Sequence, residues 1–149
     1  MKELETFEPA CQYLIGIMSE FKDVLESKVE ALQQIEWIYH KGTVKVCQPD
    51  DKGRKKRCKV GMDYWSKIIL SADDANTIWN EFRTFFAKSY LVKMDRIELN
   101  EEIGQYEFIA KGLMGDEVEC RIYTPNEWNI PQIRISGFVS SKYRSMDQD

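Results

Sequence analysis

The feature that most constrains this chain is a change of hydrophobic period. Near Leu91 the apolar spacing switches from three-and-four to two, and it stays at two as far as Val139. The turns between those alternating segments are only a few residues long. Parallel strands need a crossover of a dozen residues or more, so short turns restrict the C-terminal half to antiparallel strands. Helical periodicity dominates the segments before the switch. The combination predicts an α+β fold, a long N-terminal helix and a second helix packed on a mainly antiparallel sheet, in the order α-β-β-α-β-β-β-β.

Residues 7–34 read as the long helix. Thr6 suits an N-cap and Pro9 falls in the first turn, where its missing N–H costs nothing. Leu14, Met18, Phe21, Leu25, Leu32, Ile35 and Tyr39 form one stripe, interrupted at Lys28. The helix is read as continuing to about Ile38, although Ile35, Trp37 and Tyr39 also fit a strand at period two. Ser71 is placed as the cap of the second helix, with Asp73 and Asp74 favouring its N-terminal dipole. Ala75, Ile78, Trp79, Phe82, Phe85 and Phe86 then share one helical face.

Residues 43–62 read as a hairpin closed at Asp50-Asp51-Lys52-Gly53. A three-residue loop pairs Asp50 with Arg54, Val46 with Cys58 and Val44 with Val60. It also sets Lys45 opposite Lys59, and Cys47 opposite Arg57. Tyr64 to Leu70 is expected to be extended. Strands follow at 91–99, 105–114 and 117–124, with a last strand through Ile133 and Ile135. The expected pairs are Ile97–Ile109, Asp95–Lys111 and Ile109–Ile122. Residues 1–139 are assigned to a single α+β domain, and residues 140–149 to a flexible polar tail.

At 149 residues, with 43% hydrophobic content, the chain has ample material for a core. Its apolar runs are too short to cross a bilayer, and the acidic N-terminus lacks the apolar core of a signal peptide. The four cysteines, Cys11, Cys47, Cys58 and Cys120, form no C-x-x-C pair and are expected to be reduced thiols in a cytoplasm. No metal site, cofactor fingerprint or catalytic constellation is found. His40, the sole histidine, has no identifiable carboxylate partner, and Cys47 near Lys45 and Arg57 is a weak candidate for an activated thiol.

Two binding surfaces stand out instead. In Lys52-Gly53-Arg54-Lys55-Lys56-Arg57-Cys58-Lys59, six of eight residues are basic; the net charge is -4, so the rest of the chain carries -10. Lys45, Lys52, Arg54, Lys55, Lys56, Arg57 and Lys59 would make the outward face and tip of the hairpin cationic. The second surface is one face of the C-terminal sheet, where the expected registers gather Arg96, Tyr106, Phe108, Arg121 and Tyr123. Aromatics beside arginine suit an interface core. The resulting reading is a non-enzymatic binding protein that occupies a partner, most simply a protein with an acidic patch. Inhibitors, immunity factors and anti-defence proteins of mobile elements or phages have this plain design. Nucleic acid held through phosphates is the alternative, and an enzyme on an unfamiliar scaffold is a third. Either a monomer or a homodimer is compatible.

Overall fold

In the computed structural model, residues 4–40, 46–49, 53 and 56–147 are described. They form two helices, α1 (Phe7–Lys28) and α2 (Ala72–Phe86), and seven strands. The strands are β1 (Ile38–His40), β2 (Val46–Pro49), β3 (Lys56–Ser66), β4 (Lys93–Ile97), β5 (Gln105–Lys111), β6 (Glu117–Tyr123) and β7 (Gln132–Tyr143). All pair antiparallel, in the order β1-β3-β7-β6-β5-β4, and β2 joins β3 on the same edge as β1. The expected α+β architecture is therefore present, with one short strand more than the sequence suggested. Among the described residues no helix is long and apolar enough to cross a membrane.

Both helices cover one face of the sheet. Leu14, Met18, Phe21 and Leu25 of α1 and Ile78, Phe82 and Phe86 of α2 are fully buried against Phe108, Val118, Cys120, Ile122, Ile133 and Ile135. Phe21 packs edge-on to Phe82 with centroids 5.5 Å apart, and Trp79 lies 4.9 Å from Phe108. Helix α1 crosses β7 at Gly137, where a Cβ would sit 2.3 Å from Met18 Sδ and 3.3 Å from Leu14 Cδ2. Glycine is what lets the helix lie this close. Helix α2 starts as expected: Asp74 N–H donates to Ser71 Oγ, and Ser71 N–H donates to Asp74 Oδ2, both at 3.0 Å.

Four expectations need correction. First, α1 ends at Lys28, not near Ile38. Val29 turns extended, Glu30–Leu32 make a 3-10 turn that keeps Leu32 buried, and Gln34 takes φ 64. That turn preserved the apolar spacing of a helix without being its continuation, and Ile38–His40 pair with β3 instead. Second, the hairpin register is shifted by one, with Cys47 opposite Cys58, Val46 opposite Lys59 and Gln48 opposite Arg57. Burial does not choose this register, because β2 is exposed throughout; the Cys47–Cys58 disulfide ties it. The expected pairs involving Val44, Lys45, Asp50 and Arg54 lie outside the described residues.

Third, the meander registers differ. Asp95 faces Ile109 and Lys93 faces Lys111, a two-residue slip produced by the 3-10 turn Glu101–Ile103 and left-handed Gly104. Ile109 faces Glu119 because the β5–β6 turn occupies residues 112–116. An odd offset of this kind reverses which residues of β5 and β6 share a face. Fourth, residues 140–143 belong to β7 and Ser145–Asp147 form a 3-10 turn, so the polar tail does not begin at 140. A bulge lets Val60 face Val139 while Cys58 faces Lys142, which breaks the period-two pattern after Val139.

One polar cluster accounts for the β5–β6 register and for the extension of β7. Asp116 and Lys142 form an ion pair of 3.0 Å with side chains 0% and 1% exposed. Asp116 Oδ1 also accepts from the Ser140 N–H at 2.8 Å and Ser140 Oγ at 2.9 Å, and its Oδ2 accepts from Tyr90 Oη at 2.8 Å. Removing one member leaves the other charge buried and unpaired. Asp116→Ala should cost about 3–5 kcal/mol in denaturant unfolding, whereas the neutral pair Asp116→Asn/Lys142→Met should recover much of that loss. A single-variant loss below about 1 kcal/mol would contradict the assigned role.

Candidate functional site

The basic hairpin is formed by β2 and the first half of β3, at the β1 edge of the sheet. Lys56 and Lys59 are exposed. Arg57 Nη2 donates to Ser141 O at 3.0 Å, and its guanidinium lies 5.0 Å from the Tyr143 ring. Among the described residues no carboxylate pairs with the side chains of Lys56, Arg57 or Lys59. Lys45, Lys52, Arg54 and Lys55 lie outside the described residues. Cys47 and Cys58 are not thiols, which removes Cys47 as a nucleophile; Cys11 and Cys120 remain reduced. Burial pushes the Cys120 thiol pKa upward, so it is a poor nucleophile too.

The second expected surface does not exist as one patch. Tyr106 and Phe108 are buried beneath the helices at 8% and 0% exposure. Arg96 accompanies them, 5.8 Å from the Tyr106 ring and 5.5 Å from that of Phe108. Its guanidinium donates to both Glu101 carboxylate oxygens, at 2.6 and 2.7 Å, and to Asn76 Oδ1 at 2.9 Å. Arg96 thus joins α2 and the loop after β4 to the sheet. Arg121 and Tyr123 sit on the opposite, helix-free face, separated from the other three by the reversed β5–β6 register.

That open face carries a row the sequence reading did not assemble. Trp65 faces Arg134, Arg134 faces Arg121, and Arg121 faces Glu107. Like charges directly opposite repel, and each arginine leans towards its own carboxylates. Arg121 Nη2 lies 3.2 Å from Glu107 and 3.2 Å from Glu119, while Arg134 Nη1 is 3.6 Å from Asp63. Between them Arg121, Tyr123, Gln132 and Arg134 line a recess of about 180 Å³. Asp63 also meets His40 Nδ1 at 2.9 Å, so the histidine does have a carboxylate partner, one that comes from a strand distant in sequence. Burial, assisted by a hydrogen bond with Glu107, pushes the Glu119 pKa up to about 7 against the opposing pull of Arg121.

The third grouping is at the other end of the sheet from the hairpin, where the β4–β5 and β6–β7 loops expose Leu99, Trp128 and Ile130. A lone tryptophan among Pro125, Asn126 and Pro131 shows no period, so spacing alone does not single out this region.

Fold and surfaces together define an antiparallel α+β protein with a cationic hairpin at one end and an apolar loop cluster at the other. No family model matches the chain, and none of the curated proteins matches it in sequence. Among solved structures it is similar to a DUF4853 family protein from Actinomyces odontolyticus, at 8% identity and a TM-score of 0.45, over 87% of this chain and 67% of that one.

The Glu119 shift makes a signed prediction. Its pKa in the fold is above the ordinary 4.5, so its contribution to stability is complete below pH 4.5 and is lost as pH rises through about 7. Discounted for partial exposure, the loss should be roughly 1–2 kcal/mol. Denaturation of the wild type and Glu119→Gln across this range should show the slope only in the wild type. A Glu119 carboxyl that titrates near 4.5 would refute the assignment.

Proposed function

We propose that this protein is a non-enzymatic binding protein that occupies a partner protein, with the cationic hairpin seated on an acidic patch of that partner. The observation that carries the reading is that, among the described residues, no carboxylate pairs with the side chains of Lys56, Arg57 or Lys59. A solubilising lysine needs no such arrangement, but a cation placed to steer and orient a partner does. The hairpin is also held at its base by a covalent bond between Cys47 and Cys58, which reduces the ordering cost of docking. Arg57 is aimed by Tyr143 and Ser141, and Lys56 and Lys59 are exposed near it in sequence. Inhibition or immunity by occupation of a partner is the mode of action this design suits.

The Cys47–Cys58 bond bears on location as well. The sequence reading took the lack of a signal-peptide core to mean a cytoplasmic protein with four reduced cysteines, whereas a structural disulfide persists in an oxidising compartment. We therefore place the working protein where that bond survives.

Affinity capture from the native cell with wild type and Lys56→Ser/Lys59→Ser tests the reading. The specific partner should be retained about tenfold less by the variant, and its binding should weaken with added salt. Equal retention by the two proteins would overturn the proposal. Loss of the captured material after nuclease treatment would replace the protein partner with nucleic acid.

A further inference from the structure

The two loops at the far end of the sheet are locked together by side-chain and backbone hydrogen bonds. Thr124 N–H donates to Gly104 O at 2.8 Å. Asn129 Nδ2 donates to Ile103 O at 2.7 Å and to Thr124 O at 3.1 Å, while Asn129 Oδ1 accepts from Gln105 Nε2 at 2.7 Å. Asn126 Oδ1 accepts from the Trp128 N–H at 3.0 Å, fixing the backbone that carries the indole. Gly104 has φ +80, and a Cβ there would lie 2.3 Å from Thr124 Oγ1, so the loops approach as closely as the chain permits.

This polar scaffold displays side chains that the fold does not use. Leu99 is 79% exposed, Trp128 71% and Ile130 67%. Leaving them in water forgoes roughly 1.5–3 kcal/mol of burial for each large aliphatic or aromatic side chain. Holding such groups rigidly at the surface offers a partner an interface core that needs little further ordering. Acidic residues neighbour them in sequence on the same two loops, while Arg96 is engaged by Glu101. Glu98, Glu102 and Glu127 are exposed, and among the described residues none of them forms an ion pair.

We propose that this loop platform is a second docking surface, built for a cationic segment of a partner protein that also carries apolar side chains. Its aliphatic groups bury against Leu99 and Ile130. Its lysines or arginines meet Glu98, Glu102 and Glu127, and one of them can stack on the Trp128 indole, the aromatic ring best suited to a cation. The surface is independent of the hairpin: it lies at the opposite end of the strands and selects the opposite charge.

Amide chemical-shift mapping with a short synthetic peptide of alternating arginine and leucine tests the inference, with a glutamate–leucine peptide as the control. The cationic peptide should give saturable shifts confined to residues 98–104 and 124–131. Binding should fall about tenfold in Trp128→Ala, and similarly in Glu98→Lys/Glu102→Lys/Glu127→Lys. Lys56→Ser/Lys59→Ser should bind as the wild type does, which separates this surface from the hairpin. Trp128 is exposed, so its removal should leave the dispersion of the spectrum unchanged. Equal binding of the glutamate–leucine peptide, shifts located elsewhere, or undiminished binding by Trp128→Ala would each overturn the proposal. Concentration-dependent self-association abolished by Trp128→Ala would also overturn it, by assigning the platform to a second copy of this chain.

Discussion

The arrangement of this molecule depends on one buried ion pair. Asp116 and Lys142, both inaccessible, bring together three segments far apart in sequence: the chain after α2 through Tyr90, the β5–β6 turn, and the last residues of β7. Burying two charges is costly, and such a pair stabilises less than well-packed apolar groups would. Here its effect on geometry is clearer than its effect on stability. Drawing Asp116 inward starts the β5–β6 turn at Gly112, five residues before β6 begins. That offset decides which side of each strand the helices cover. Satisfying Ser140 and Lys142 puts the bulge into β7, which carries the strand on to Tyr143, where the ring receives Arg57. A polar contact in the interior thus sets the surface on which the hairpin rests.

The antiparallel topology gives the two ends of the sheet different characters. At one end β3 starts and β7 finishes, with Lys56, Arg57 and Lys59 exposed, and exposed Lys93 and Lys111 lie at the same end of the strands but across the sheet, on β4 and β5. Glu117 is there too, directly opposite Lys111. At the other end the loops carry Glu98, Glu102 and Glu127 around Leu99, Trp128 and Ile130. Separated charge of this kind orients an approaching partner before contact. On the function proposed above, this separation adds selectivity, because a partner offered to the wrong end meets like charge.

Much of the fold was readable from residue spacing alone. The aromatic stripe of α2, its Ser71 cap and the period-two segments after Leu91 are each determined by neighbours close in sequence; the first two formed as expected, and the third gave strands at the expected places, though shorter and in other registers. What could not be read was decided by contacts between distant residues. Nothing local marks Asp116 as buried or pairs it with Lys142, so the turn at 112–116 looked like a two-residue hairpin, and Tyr106 and Phe108 were assigned to the open face. The hairpin register failed for a related reason. Its apolar residues were assumed to be covered, yet β2 is exposed and a sulfur bond determines the pairing. Of the proposed site, the hairpin cations were visible as a composition anomaly. The Arg121–Arg134 row and the Trp128 platform were not, since each is assembled from strands or loops that carry no local signature.

The central claim is electrostatic: one end of this molecule presents positive potential and the other negative. Paramagnetic relaxation by cationic and anionic cosolutes, read residue by residue in NMR spectra, measures that potential directly. The account predicts enhanced relaxation by the anionic probe around residues 56–59, and by the cationic probe around 98–102 and 127. Indifference to probe charge at both ends, or the same preference at both, would contradict it.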